Sequence, residues 1–309
     1  MKSYDDINPF KFSNTPTEEE IKIIKGKLDD HNREQTKGEY DQHGFEINLV
    51  LKDAGGNVVG GIIASTMFRV MHLEVLWVAN EYRKLGYGRE LVLAAERIGF
   101  EKGCMASQTW TFEFQAPVFY QKIGYELVGV YDGYPDGLKE YVLAKRLGDH
   151  QVHPDWTRAS MKIDSNGLYI TENISEEDLK TVHAGLRKHV DQFVGDEKNG
   201  IGIRLVIRDQ ADKIIGGLLA WTTIRNMLIE NIWIEDKYRN LGLGKKLMVE
   251  AESMAIESGC IASLTYGLSF QAPEFFLKQG YQVFGFSDGY PSPVREFYFI
   301  KKFSETAQP

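Results

Sequence analysis

The chain has 309 residues, which suits two domains of about 100–200 residues each better than one. Hydrophobic residues make up 43% of it and charged residues 26%, which excludes disordered and fibrous classes. The formal net charge is −8 and no basic block offsets it, so a nucleic-acid partner is not expected. Residues 1–10 lack a secretion-signal pattern, and no apolar run reaches the roughly 20 residues of a membrane helix. With only Cys104 and Cys260, we expect a cytoplasmic protein without a membrane partner.

The sequence contains one unit written twice. The segment GCMASQTWTFEFQAP at Gly103 recurs as GCIASLTYGLSFQAP at Gly259, an offset of 156 residues. The same offset relates Glu74 to Glu230 without a gap. The repeat has the length of a complete domain. We predict two domains and a linker between them, with the bounds 1–147, 148–162 and 163–309.

Each copy begins with a helix pattern, at 17–32 and 175–193, that opens with Thr or Ser followed by acidic residues. In the first copy, alternating apolar residues at 47–51 predict a strand, and a Gly-Gly-Asn turn leads to a second strand from Val58. A third strand covers 73–78.

An amphipathic helix follows, and Gly103 ends it. A strand at 104–112, a short helix from Pro117 and a closing hairpin at 125–146 complete the unit. The second copy repeats this order. It predicts an α/β fold with a mixed, mostly antiparallel sheet flanked by helices.

A glycine loop precedes the amphipathic helix in both copies. It reads RKLGYG at 83–88 and RNLGLG at 239–244. A helix N-terminus has unpaired N–H groups and a partial positive charge, so glycines that let a phosphate approach create an anion site. The same glycines could instead serve packing or capping. The loop lacks the third glycine of a dinucleotide fingerprint.

With these loops the chain resembles the GNAT superfamily of acyl-CoA N-acyltransferases. The family signature is Arg or Gln, two residues, Gly, one residue, then Gly or Ala, and 83–88 and 239–244 match it. The segment FQAPVFYQKIGY is similar to that of small bacterial members. The resemblance implies two tandem GNAT-like domains, acetyl-CoA in a V-shaped cleft between two splayed strands, and a small-molecule or peptidyl amine as acceptor.

The resemblance also implies coenzyme contacts in each copy. Backbone N–H groups of the glycine loop would hold the diphosphate, and a strand end and a glutamine would hold the pantetheine arm. The strand ends could equally be core, and each glutamine could cap the helix after it. The predicted coenzyme-binding residues are Val78, Arg83, Lys84, Leu85, Gly86, Tyr87, Gly88, Arg89, Gln115, Ile234, Arg239, Leu241, Gly242, Leu243, Gly244, Lys245 and Gln271.

The resemblance implies two catalytic residues in the first copy. Glu74 corresponds to a base that acts through water, although a glutamate on a strand is often simply solvated. Tyr120 corresponds to the acid that protonates the leaving thiolate. The repeat offset maps Tyr120 onto Phe276, which has no proton to give. We therefore hypothesise that the first domain is catalytic and that the second binds coenzyme A weakly or serves structure.

Acceptor contacts are the least defined part of the prediction. A repeated Asp-Gly-Tyr-Pro loop could line the acceptor pocket, or Gly and Pro could simply fix a turn there. Tentative acceptor residues are Asp132, Tyr134, Glu230, Asp288 and Tyr290. The histidines and cysteines do not have the spacing of a metal site, so no metal is predicted. A transferase, a CoA-binding module without turnover and a structural pseudo-dimer remain open, as a monomer or a homodimer.

Overall fold

The computed structural model describes residues 10–39, 44–148, 167–194 and 200–304. Apart from Gly148, the predicted linker 148–162 lies outside the described residues, and the predicted domain bounds stay a prediction. Within these ranges no helix is both long and apolar enough to cross a bilayer.

Both repeats form the same series of elements. The first comprises β1 (Lys11–Ser13), α1 (Glu18–Gln35), β2 (Glu46–Lys52), β3 (Val58–Met67), β4 (Val70–Val78), α2 (Tyr87–Glu101), β5 (Ala106–Phe112), α3 (Pro117–Lys122), β6 (Glu126–Tyr131) and β7 (Glu140–Arg146). The second comprises β8 (Tyr169–Thr171), α4 (Glu176–Val194), β9 (Gly202–Arg208), β10 (Ile214–Thr223), β11 (Asn226–Ile234), α5 (Leu243–Glu257), β12 (Ala262–Leu268), α6 (Pro273–Lys278), β13 (Gln282–Ser287) and β14 (Glu296–Lys302).

The first helix of each repeat starts at a reciprocal cap. The Thr17 side chain accepts from the Glu20 N–H, and the Glu20 carboxylate accepts from the Thr17 N–H at 2.8 Å. Ser175 and Asp178 make the same pair of hydrogen bonds, at 3.1 and 2.9 Å. Each cap satisfies N–H groups that have no partner within the helix. The two helix starts predicted from the sequence are therefore confirmed.

The fourteen strands form one continuous sheet in the order β1-β9-β10-β11-β12-β14-β13-β6-β7-β5-β4-β3-β2-β8. Neighbours are antiparallel except for β4 with β5 and β11 with β12. The halves meet at the centre, where Gly129 of β6 pairs with Gly285 of β13. A Cβ on Gly285 would lie 2.3 Å from the Val128 carbonyl oxygen, so only glycine allows this approach. The predicted mixed, mostly antiparallel α/β fold is confirmed.

The first strand and helix of each repeat pack on the other repeat. Strand β1 of the first repeat pairs with β9 of the second, with Phe12 opposite Ile207. Strand β8 of the second repeat pairs with β2 of the first. Ile24 of α1 clusters with Val206 and Leu219 of the second repeat. Each half of the sheet is therefore covered on one face by its own helix, α2 or α5, and on the other by a helix exchanged from its partner half.

Glycines in the sheet make room for the exchanged helices. A Cβ on Gly61 of β3 would lie 2.6 Å from Val182 of α4, and one on Gly217 of β10 would lie 2.3 Å from Ile24 of α1. Real Cβ atoms essentially never lie within 3 Å of a neighbouring atom, so side chains there would displace the helices. The exchange is thus built into the same position of both repeats.

Candidate functional site

A cleft opens where β4 and β5 diverge. The two strands pair in parallel from Val70 with Ala106 to Leu73 with Thr109, and the pairing ends there. Leu73 and Val75 pair with the consecutive residues Ala64 and Ile63 of β3, so Glu74 between them has no partner and forms a β-bulge. A bulge bends and twists its strand, so β4 leaves β5 at this point. Glu230 is skipped in the same way in β11, and a second cleft opens there.

The glycine loop ends at the start of α2 in the first cleft. Gly86 is the N-cap residue of α2 and has φ +95°, a left-handed conformation that glycine adopts freely. A Cβ built there would meet no atom within 4 Å, so the outer side of the turn is open. Gly242 repeats this at the start of α5, with φ +78° and the same open space. Each turn could therefore admit a phosphate to the first N–H groups of its helix.

An arginine braces each loop against the strand before it. Arg83 Nε donates to the Val78 carbonyl at 2.8 Å, and Arg239 Nε donates to the Ile234 carbonyl at 3.1 Å. This carbonyl is the last of β4 or β11, where the pantetheine contact was predicted. The guanidinium group therefore fixes the distance between the strand end and the helix start.

The remaining predicted coenzyme contacts lie on the same two turns. Lys84 has a left-handed φ of +64°, and the side chains of Leu85 and Leu241 are exposed. The Arg89 guanidinium forms an ion pair with the Glu90 carboxylate at 3.2 Å. Tyr87 is partly buried against the hydrophobic core of the first half, and Leu243 is buried in that of the second half. Lys245 lines the second cleft.

The second glycine of each loop faces an aromatic ring of the short helix. A Cβ on Gly88 would lie 3.7 Å from Phe119, and one on Gly244 would lie 3.1 Å from Phe275. The latter distance is too short for ordinary contact, so the second loop is packed more closely than the first.

The two predicted glutamines fold back onto strand ends. Gln115 Oε1 accepts from the Phe112 N–H at 2.9 Å, and Gln271 Oε1 accepts from the Leu268 N–H at 2.7 Å. Gln271 Nε2 also donates to Asn32 of the exchanged helix α1 at 2.8 Å. Each glutamine therefore fixes the turn between β5 or β12 and the short helix.

Tyr120 lies beside the point where β4 and β5 separate. Its ring is 5% exposed, and burial raises the pKa of its hydroxyl to about 12, while a side-chain hydrogen bond with Thr109 lowers it. Thr109 belongs to the last parallel pair and donates to the Leu73 carbonyl at 3.1 Å. The phenol is thus protonated at neutral pH. In the second cleft Phe276 is buried to a similar degree, at 6%.

Glu74 and Glu230 project from their bulges and are exposed. Glu230 lines the second cleft and also a smaller cavity of about 270 Å³ beside α1. Both carboxylates are therefore within reach of solvent, as a base acting through water requires.

The Asp-Gly-Tyr-Pro loops lie between the two halves. Tyr134 clusters with Leu264 and Ile300 of the second repeat, and Tyr290 clusters with Phe68 and Ala106 of the first. The aspartates form ion pairs, Asp132 with Lys302 at 3.0 Å and Asp288 with Arg295 at 2.6 Å. These contacts account for the loops structurally, and their acceptor role stays a prediction.

Sequence reasoning missed two buried carboxylates behind these loops. Burial raises the pKa of Glu140 to about 7, although the Tyr134 hydroxyl donates to it at 2.9 Å. Burial also raises the pKa of Glu296, which accepts from Gln108 at 2.8 Å and from Tyr298 at 3.0 Å. The repeat offset of 156 relates the two glutamates, so the duplication itself could have identified them.

The second cleft is a cavity of about 1080 Å³. One wall is the loop and strand ends of the second repeat, including Arg239 and Gln271. The other wall is helix α1 of the first repeat, through His31, Asn32 and Gln35. This cleft is therefore composed of both repeats. Among the described residues, no group of three His, Cys, Asp or Glu side chains could hold a metal ion.

Comparisons with known proteins give one result for both repeats. The model of the Acetyltransferase (GNAT) family matches residues 12–125, and that of the Acetyltransferase (GNAT) domain matches residues 201–283. Blasticidin-S acetyltransferase from Streptomyces morookaense is 39% identical over 93 residues, which are 30% of this chain and 68% of that protein. Acetyltransferase Atu2258 from Agrobacterium fabrum is 25% identical over 120 residues, which are 39% of this chain and 85% of that protein.

Among solved structures, an acetyltransferase from Bacillus cereus is 36% identical. The match covers 44% of this chain and 98% of that one, with a TM-score of 0.43. Two separate family matches along the chain agree with the internal repeat, and the relative at 39% identity is matched over 68% of its length. The chain therefore belongs to the GNAT acetyltransferase family and is an acyltransferase with two tandem domains of this kind.

Proposed function

We propose that the protein is an N-acetyltransferase that transfers an acetyl group from acetyl-CoA to a primary amine, and that the first cleft carries the reaction. The observation that supports this assignment is the position of Tyr120, buried beside Thr109 where the strands part. Acetyl-CoA would supply an activated acetyl group as a thioester. The open left-handed turn at Gly86 suits its diphosphate, since the helix N-terminus lies behind it.

The residues of the first cleft would have separate roles in binding the coenzyme, positioning it and transferring protons. The N–H groups at the start of α2 would hold the diphosphate, and Arg83 keeps this turn at a fixed distance from the end of β4. The amine nitrogen forms a bond to the acetyl carbon as the carbon–sulfur bond breaks. Glu74 would take the proton of the amine through water, and Tyr120 would give its proton to the departing sulfur.

Phe276 supports a different role for the second cleft. It offers no proton, yet the cavity there is about 1080 Å³ and the glycine loop is retained. We assign this cleft to coenzyme binding without turnover. The alternative for the whole protein is a CoA-binding module, in which neither cleft releases thiol.

Replacement of Tyr120 by Phe tests the assignment. We expect kcat to fall about 100-fold, since a positioned acid contributes about 10²–10⁴ in rate, while the KM for acetyl-CoA changes little. Thiol release would be followed with polyamines, aminoglycosides, amino acids and peptides as acceptors. The matched variant Phe276→Tyr controls for the second cleft. If Tyr120→Phe leaves turnover intact and Phe276→Tyr raises it, the assignment of the first cleft is wrong.

A further inference from the structure

Helix α4 of the second repeat crosses the mouth of the first cleft. The His189 ring lies 6.3 Å from the ring of Phe114, which follows β5. Burial and then the positive charge of Arg83, which follows β4, lower the pKa of His189. One turn before His189 on α4, a Cβ on Gly185 would lie 2.2 Å from the indole of Trp77 in β4. One helix from the other repeat therefore spans both sides of this cleft.

Aromatic rings line the mouth in a parallel stack. Phe112, the last residue of β5, stacks on Phe114 with centroids 5.2 Å apart and planes 8° apart. Phe114 stacks on Phe193 of α4 at 4.2 Å, again with an interplanar angle of 8°. Phe193 is nevertheless 54% exposed, at the solvent end of the stack. A surface of this kind favours another planar ring, since parallel offset stacking is a preferred aromatic geometry.

The mouth of the second cleft has a different character. The caps Thr17 and Ser175 align α1 with α4, which places Gln35 at the position of Phe193 and Asn32 at that of Val190. Asn32 accepts a hydrogen bond from Gln271 at 2.8 Å. The repeat offset maps Phe112 onto Leu268 and Phe114 onto Phe270. The contrast between the two mouths therefore comes from the exchanged helices together with the change from Phe112 to Leu268.

We propose that α4 forms the acceptor-side wall of the first cleft, and that Phe193 and His189 select an amine that carries a planar aromatic ring. The proposal rests on the function proposed for that cleft. Its specificity is then determined by the second repeat, although the residues proposed for the chemistry belong to the first.

A matched pair of amines tests the selection in the full-length protein. The acceptors 2-phenylethylamine and 2-cyclohexylethylamine differ in ring planarity and carry the same amine. We expect kcat/KM to favour the aromatic amine about threefold to tenfold, as one ring–ring contact allows. Phe193→Ala should reduce this ratio to about one without changing the KM for acetyl-CoA. Gln192→Ala, an exposed neighbour on α4, should leave the ratio as it is.

Binding of the same amines, followed by saturation-transfer NMR in the presence of coenzyme A, separates the inference from the function. Binding that depends on Phe193 but gives no thiol release would contradict the proposed function and support the acceptor wall. Turnover of the aromatic amine that is unaffected by Phe193→Ala would support the function and overturn the wall. Equal binding of both amines by the unaltered protein would also overturn it.

Discussion

The first and second clefts share a backbone and differ in their side chains. Both have a bulged glutamate where the central strands part and a left-handed glycine at the helix start. An arginine braces each loop to its strand. The first cleft has Tyr120 and is bordered by Phe193 of its exchanged helix, whereas the second has Phe276 and is bordered by Asn32 and Gln35 of its exchanged helix.

This difference indicates that coenzyme binding and proton transfer depend on different parts of the protein, the backbone and a side chain. The predicted contacts to the diphosphate come from backbone N–H groups, so they survive exchange of most side chains in the loop. In the proposed function, proton transfer to the leaving sulfur depends on the hydroxyl group of Tyr120, so the change to Phe276 in the second repeat would remove it. Under this proposal the second domain keeps its coenzyme site and has lost its reaction.

The largest expected effect concerns the exchanged helix at the first cleft. We expect Gly185→Leu to lower the free energy of unfolding by about 2–3 kcal/mol, since the new side chain would overlap Trp77 and overpacking costs about 1–3 kcal/mol. Chemical denaturation would measure it. The equivalent position of α1 is occupied by exposed Lys27, so Lys27→Ala is the control and should change stability by less than about 0.5 kcal/mol. Equal effects of both variants would contradict the packing of α4 on β4.

A smaller effect is expected from a buried imidazole that only the first half contains. The repeat offset places Leu228 at the position of His72. The His72 Nε2 is buried without a hydrogen-bond partner among the described residues, and burial lowers the pKa of His72 to about 4. Unfolding would restore a pKa of about 6.5. The contribution of the neutral His72 side chain to the free energy of unfolding is therefore fully present above about pH 6.5 and is lost as the pH falls towards 4.

We expect His72→Leu to become more stable than the unaltered protein as the pH falls from 7 to 4.5. The shift in pKa corresponds to about 3 kcal/mol at most, and because the residue as a whole is only half-buried we expect about 1–2 kcal/mol. Thermal unfolding across this pH range would measure the difference. His183→Leu, at an exposed position, is the control. A difference that does not change with pH would show that His72 takes up its proton in the folded protein as readily as in the unfolded chain.

The smallest expected effect is a flat pH profile above neutrality. Because burial raises the pKa of Tyr120 to about 12, the phenol keeps its proton through pH 10. Once the acceptor amine is deprotonated, kcat should change less than about twofold between pH 8.5 and 10. Measurement of kcat over this range with saturating substrates tests the point. A decline with an apparent pKa near 9 would exclude Tyr120, in this environment, as the acid.

The sequence predicted the features that depend on nearby residues. The helices that follow the glycine loops, the end of the first of them at Gly103, and the caps at Thr17 and Ser175 all depend on contacts within a few positions. Because the same patterns occur in both repeats, each prediction rests on two independent segments of the sequence. The mixed sheet followed from the order of these elements.

The exchange of helices could not be predicted in this way. Ile24 and Val182 present the same apolar face, and both half-sheets offer the glycines that receive it, so the pattern does not say which helix packs on which half. The bulges at Glu74 and Glu230 likewise result from pairing with a neighbouring strand. Burial of Glu296 beside Gln108 of the first repeat likewise depends on contact between the halves, which the chain order does not reveal.

Titration with coenzyme A tests the role of the two loops most directly. Calorimetry would compare the unaltered protein with Gly86→Val and Gly242→Val, since valine in a left-handed conformation costs about 1–2 kcal/mol and its side chain would enter the space proposed for phosphate. Gly259→Val, in the same conformation at the other end of α5, controls for strain alone. We expect each loop variant to weaken uptake at its own loop about tenfold, and Gly86→Val also to reduce acetyl transfer. No uptake by the unaltered protein, or uptake that neither loop variant alters, would contradict coenzyme binding at these glycines.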